Sequence, residues 1–151
     1  MVTRRWLVAA VVTSVVSLGA CSGGGHQALS SGYVTKANAL CGQWTKALND
    51  LGVNPPLSDV NRMVPFTRKQ LAIDEGYTGR FKALDATPSE RDALAPVYAA
   101  FTRINAAEAG VLKSAETGDR VGIQTNHQTS VDVTARLNKQ LADLRLKVCA
   151  S

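Results

Sequence analysis

Residues 94–119 read LAPVYAAFTRINAAEAGVLKSAETGD, and residues 120–148 continue as RVGIQTNHQTSVDVTARLNKQLADLRLKV. In the first stretch Leu94, Val97, Phe101, Ile104, Val111 and Ala115 recur at steps of three, four or seven. That is one face of an α-helix, and it predicts a helix from about Ser89 to Glu116, with Pro96 early enough to be tolerated. Thr117-Gly118-Asp119 reads as stop, turn and new N-cap. In the second stretch Ile123, His127, Ser130, Thr134, Leu137, Leu141, Leu144 and Val148 step by three and four, predicting a helix from about Asp119 to Val148. Ser130 to Thr134 alternates like a short strand, but a lone strand has no partner here. Two long helices joined by a three-residue turn must pack antiparallel, and this hairpin decides the fold.

Upstream, Tyr33, Ala37, Leu40, Cys41, Trp44, Leu48 and Leu51 form another helical stripe, closed by Gly52 and by Pro55-Pro56. Trp44 on this stripe reads as a core anchor. From about Leu57 to Leu84, Val60, Val64, Leu71, Phe81 and Leu84 give an apolar side, with Met63, Phe66, Ile73 and Tyr77 beside it. Pro65 predicts one kinked helix or two shorter ones. The four segments predict an all-α, up-down-up-down four-helix bundle with a short first helix. That helix does not reach the far end of the other three, so the Gly52–Pro56 segment covers that end or leaves it open.

The chain has 151 residues, 45% apolar, enough for one globular domain and too apolar for a disordered tail. Its start is not part of that domain. Arg4 and Arg5 precede an uncharged run from Trp6 to Ala20, short for a membrane span and suited to a signal-peptide core. Thr3-Arg4-Arg5-Trp6-Leu7 matches a twin-arginine signal only in part, and the strong apolar core favours general secretion. Leu18-Gly19-Ala20-Cys21 resembles the bacterial lipobox. The resemblance implies cleavage before Cys21 and acylation of its thiol. Residues 1–20 would then be a removed signal, residues 21–32, rich in Gly and Ser, a tether, and residues 33–151 the bundle. Loss of Arg4 and Arg5 leaves 15 basic against 12 acidic residues. Such a mild, scattered excess gives no support to nucleic-acid binding.

There are three cysteines, Cys21, Cys41 and Cys149. With Cys21 lipidated in an oxidising compartment, the remaining pair predicts a Cys41–Cys149 disulfide. No CxxC or Cys-His spacing supports a metal-binding or reactive thiol instead.

The lipobox, the tether, the opening Tyr33–Cys41, the Ala115–Asp119 turn and the terminal Cys149 together resemble small secreted actinobacterial lipoproteins of the mycobacterial type. The resemblance implies a helical, disulfide-tied envelope protein and no mechanism.

Searching for chemistry, no G-x-S-x-G, H-E-x-x-H, P-loop or C-x-x-C-H occurs, and no cofactor or metal site is indicated. One constellation stands out. Glu108 and His127 each lie about nine residues from the turn at Gly118, so the antiparallel hairpin should place them level and facing each other. Asn105 and Ser130 follow on the same side, and Arg62 lies at that level on the second helix. A buried carboxylate needs a partner, and His127 or Arg62 is expected to supply it, either as a satisfied structural polar pair or partly solvated edge, or in a polar cleft at the open end. The leading functional expectation is non-catalytic. It is an exported protein, lipid-anchored on the outer face of the cytoplasmic membrane, presenting its bundle to an envelope protein. The second is a small-molecule or lipid binder using the cleft, and an enzyme is a distant third.

Cys21→Ala should release the protein from membranes or leave it uncleaved. Membrane fractionation and mobility identical to wild type would overturn the lipobox reading.

Overall fold

In a computed structural model the structure describes residues 28–150. The signal, Cys21 and most of the tether lie outside them. Four helices follow in order: α1 (Ser31–Asn49), α2 (Val60–Lys82), α3 (Pro88–Glu116) and α4 (Arg120–Asp143). They form the up-down-up-down bundle, with α1 the shortest at 19 residues.

The folded part begins slightly before Tyr33. Leu29 is buried in the main core, and Ser30 caps α1 by accepting from the Tyr33 N–H. The Ser30 N–H in turn donates to Glu90 Oε1 at 2.8 Å. Glu90 belongs to the capping box of α3, in which the Thr87 side chain accepts from the Glu90 N–H and the Glu90 carboxylate accepts from the Thr87 N–H. Bonds from Ser30 first, then Thr87, hold the Glu90 carboxyl at about 2. One carboxylate thus ties the start of the fold to the start of α3.

Pro65 does not divide the second segment. Helix α2 runs through it as a single element. Pro65 supplies no N–H to the Asn61 carbonyl, and both residues are exposed, so water can satisfy that group.

Two apolar clusters make the core. The larger lies toward the disulfide end and is centred on Phe81, whose ring meets Phe101 at 5.3 Å, Tyr98 at 6.3 Å and Tyr33 at 6.4 Å, all edge-on. The smaller joins Met63, Val111, Ala115 and Ile123, with Leu57, Val60 and Val64 packed on it. Pro55 is buried and Leu57 packs on this cluster, so the chain between α1 and α2 helps cover the far end.

The seam between α3 and α4 is tight at Gly110. A Cβ there would lie 2.6 Å from the Asn126 side chain. Asn126 fills the space that glycine leaves and donates to the Gly122 carbonyl. The turn ending α3 has Gly118 at φ 72°, with Asp119 N–H bonded to the Ser114 carbonyl and Gly118 N–H to that of Ala115. This is a Schellman closure with glycine where a left-handed residue is required.

Helix α4 ends earlier than its pattern predicts, at Asp143 rather than Val148. Leu146 N–H returns to the Leu141 carbonyl and Arg145 N–H to that of Ala142, the same closure as after α3. Leu141 and Leu146 are both fully buried, and that apolar pair holds the turn. The left-handed position is taken by Arg145, at φ 64°. The turn brings Cys149 to Cys41, and the expected disulfide is present, with Cα atoms 5.0 Å apart. Closing a loop of 108 residues stabilises the fold by roughly 4–5 kcal/mol in the chain-entropy model.

A non-glycine residue in the left-handed region costs about 1 kcal/mol. Arg145→Gly should therefore raise the unfolding free energy by up to about 1 kcal/mol in urea titrations, less the extra chain entropy of the unfolded glycine. A destabilised Arg145→Gly would show that the arginine side chain, not the turn geometry, matters at this position.

Candidate functional site

The inward stripe of α2 is Met63, Thr67, Gln70, Asp74, Thr78 and Phe81, stepping by four and three. Its ends are apolar and its middle is polar. Val64 and Leu71 lie about 80–100° to one side of it, and Phe66, Ile73 and Tyr77 about 40–80° to the other. The polar middle faces Asn105 and Glu108 of α3, and beyond Glu108 is Ser130 of α4. Asn105 Nδ2 donates to Thr78 Oγ1 at 3.4 Å, Gln70 Nε2 to Glu108 Oε1 at 3.1 Å, and Ser130 Oγ to the same oxygen at 3.5 Å. A polar layer therefore separates the two apolar clusters.

From α1, Trp44 reaches into this layer. Its indole stacks on Tyr77, with centroids 5.9 Å apart and planes 6° from parallel, and tilts onto Phe101 at 5.3 Å. These rings fix its Nε1–H, which donates to Asp74 Oδ1 at 2.6 Å. Asp74 is 4% exposed.

Asp74 and Glu108 interact directly. Glu108 Oε2 is buried and no donor faces it. Two ionised carboxylates in contact inside a protein repel, so one keeps a proton. Burial first, then the bond to and charge of Asp74, push Glu108 up to about 8. Burial also raises Asp74, but bonds from Glu108 and Trp44 oppose the rise. The proton is therefore held by Glu108 and shared with Asp74.

This pair lines a cavity of about 310 Å³. Its apolar walls include Trp44, Phe101 and Leu137, its polar positions include Asn105 and Thr134, and the Cys41–Cys149 disulfide lies at its edge. Helix α1 packs on α2, α2 on α3 and α3 on α4. No Cα of α1 comes within 8 Å of a Cα of α4. The gap between these two helices is the open side of the cavity, so the opening is lateral and not at the far end.

Of the residues singled out from sequence, the structure brings Glu108, Asn105 and Ser130 together. It does not bring His127 or Arg62 to them. The partners of Glu108 are Asp74, Gln70 and Ser130. The inward stripe of α4 runs through Ile123, Asn126, Ser130, Val133 and Leu137, with Asn126 seated over Gly110, and His127 falls roughly 70° from its centre. His127 instead borders a shallow surface depression with Leu57, Gln124 and Asp132. Arg62 is exposed and lies 3.9 Å from Asp59, a loose surface pair. Sequence reading missed Asp74, Gln70 and the role of Trp44. The available signal was the unbroken three-and-four spacing of Thr67, Gln70, Asp74 and Thr78 between Met63 and Phe81. Among the described residues no group of three or more His, Cys, Asp or Glu side chains could hold a metal ion.

Comparison of the chain with protein-family models, curated proteins and solved structures finds no match. The site is read from its own geometry.

A carboxyl whose folded pKa is raised stabilises the fold below its unfolded value, near 4.3, and that contribution is lost as pH rises through about 8. Wild type should lose stability between pH 5 and pH 9. Glu108→Gln, with no proton to lose, should flatten that slope. At pH 9 it should be the more stable protein by on the order of 1–2 kcal/mol, less than the full shift because the cavity admits water. Parallel pH profiles of urea unfolding in the two proteins would exclude the shared-proton arrangement.

Proposed function

We propose that the protein is a lipid-anchored envelope protein whose bundle binds a small molecule in its internal cavity, without catalysing a reaction on it. The observation that carries this reading is the cavity of about 310 Å³, which receives side chains from all four helices and combines aromatic walls with convergent polar groups. Sites of this volume, mostly apolar with a few placed polar groups, are where proteins hold small ligands.

Presentation of the bundle to another protein has less support. The large exposed apolar side chains among the described residues are Val53, Val121, Val131 and Val148, and scattered single exposures of this kind are ordinary. The anchor rests on Cys21 and its lipobox-like surroundings. Among the described residues no helix is long and apolar enough to cross a membrane, and the proposed attachment is through the N-terminal lipid alone. Export and a place on the outer face of the cytoplasmic membrane follow from the same signal.

Native mass spectrometry of protein purified from its own envelope should show a retained small molecule. Thr134→Phe, which puts a ring into the cavity from α4, should abolish that added mass while the helical circular dichroism persists. A stable second protein with no small molecule would favour the interaction reading instead.

A further inference from the structure

Two features of the cavity restrict what it can hold. The first is its charge. Among the described residues, the ionisable groups lining it are Asp74 from α2 and Glu108 from α3. Helices α1 and α4 contribute no charged side chain to its wall, and the two cysteines at its edge are joined in the disulfide. An anionic ligand would meet two carboxyls and no cation. The second is the use of donors. Trp44 serves Asp74, and Gln70 and Ser130 serve one oxygen of Glu108, while no donor serves the other, which is buried. The rings of Trp44 and Phe101 and the side chain of Leu137 also line the cavity.

We propose, building on the small-molecule reading above, that the cavity takes an organic ammonium, with the cationic nitrogen between Asp74 and Glu108 and an apolar body against Trp44, Phe101 and Leu137. The ammonium replaces the shared proton. Glu108 gives that proton to solvent as the ligand enters, its carboxylate accepts an ammonium N–H, and Asp74 accepts another. The site carries one net negative charge before binding, and two carboxylates plus one ammonium after it. The internal charge is unchanged, and one proton appears in solution. Charge-assisted bonds to both acids supply the selectivity. The volume, at the lower end of small-molecule sites, suits a single ring or short alkyl chain bearing one amine. A bare divalent cation is a poorer occupant, because calcium takes six to eight oxygen ligands and only two carboxyls converge here.

Binding is linked to pH by the released proton. Affinity for an ammonium should rise by up to about tenfold per pH unit while Glu108 is protonated, and level off above about 8.

The test uses the full chain in neutral detergent with Trp6→Phe, so that Trp44 is its one indole. Three probes of matched body are titrated against its emission: phenethylammonium, 2-phenylethanol and phenylacetate. Calorimetry in two buffers of different ionisation enthalpy counts protons. The expected result is phenethylammonium at least about tenfold tighter than the alcohol, phenylacetate weakest, and close to one proton released at pH 7. Glu108→Gln should erase both the proton release and the pH slope, and Asp74→Asn should erase the preference for the amine. Equal affinity for amine and alcohol would overturn the ammonium assignment and leave the small-molecule reading standing. Binding of none of the three overturns the ammonium assignment. If the envelope-purified protein also carries no small molecule, the small-molecule reading falls with it.

Discussion

Helix α1 packs along one helical neighbour, α2, and is joined to the far side of the bundle by one covalent bond, Cys41–Cys149. A bundle helix normally has two neighbours, and here the second place is taken by the turn and tail after α4. The disulfide therefore does more than remove unfolded-state entropy. It sets how far α1 stands from α4, and so how wide the lateral opening is. The bridge depends on the early end of α4: had the helix continued to Val148, its axis would have carried Cys149 away from the middle of α1. Leu146 in the core and Arg145 in a left-handed conformation are what turn the chain back. The position of Trp44, one turn beyond Cys41, follows from the same constraint.

Trp44 connects this frame to the polar layer. Its ring is part of the aromatic cluster around Phe81, and its N–H donates to Asp74 Oδ1. Buried polar groups in a bundle cost stability unless every donor and acceptor is matched. Thr78, Asn105, Gln70, Ser130, Asp74, Glu108 and Trp44 match one another with one exception, the second oxygen of Glu108. The layer also divides the core into two clusters that would otherwise be continuous, so an unbroken apolar stripe from Met63 to Phe81 along α2 is forgone for four polar positions.

The hairpin of α3 and α4 was legible because its apolar residues coincide with its buried face and glycine marks its turn. The cap at Asp119 and the disulfide were legible for similar local reasons. Helix α2 was legible as a helix but not in its orientation. Val60, Val64 and Leu71 drew the apolar face to a flank, whereas the centre of the buried face is polar. That error removed Asp74 from view and left Glu108 in need of a partner, for which His127 and Arg62 were the nearest by level. A level along a helix is fixed by residue count, but azimuth is fixed by packing. Asn126 seated over Gly110 turns His127 aside. The end of α4 was illegible because arginine carries no preference for the left-handed region, and only the burial of Leu146 explains it.

Four consecutive inward positions of α2 could be apolar at no cost to helix formation, and replacing buried charge networks by packed apolar groups is often stabilising. The chain keeps them polar and adds a tryptophan whose N–H donates to one of them. It also leaves the layer open to solvent between α1 and α4, where an added side chain at Thr134 or Thr45 would close it. A layer serving only to fix helix register would be better dry, fully matched and enclosed. This one is open on one side and short of one donor at Glu108, and it is bordered by rings that already lie against the core. Those departures occur together at one place in the bundle, where local rules of packing are most often broken for the sake of a bound molecule. The fold tolerates them because the disulfide and the larger apolar cluster hold α1 without needing the centre to be filled.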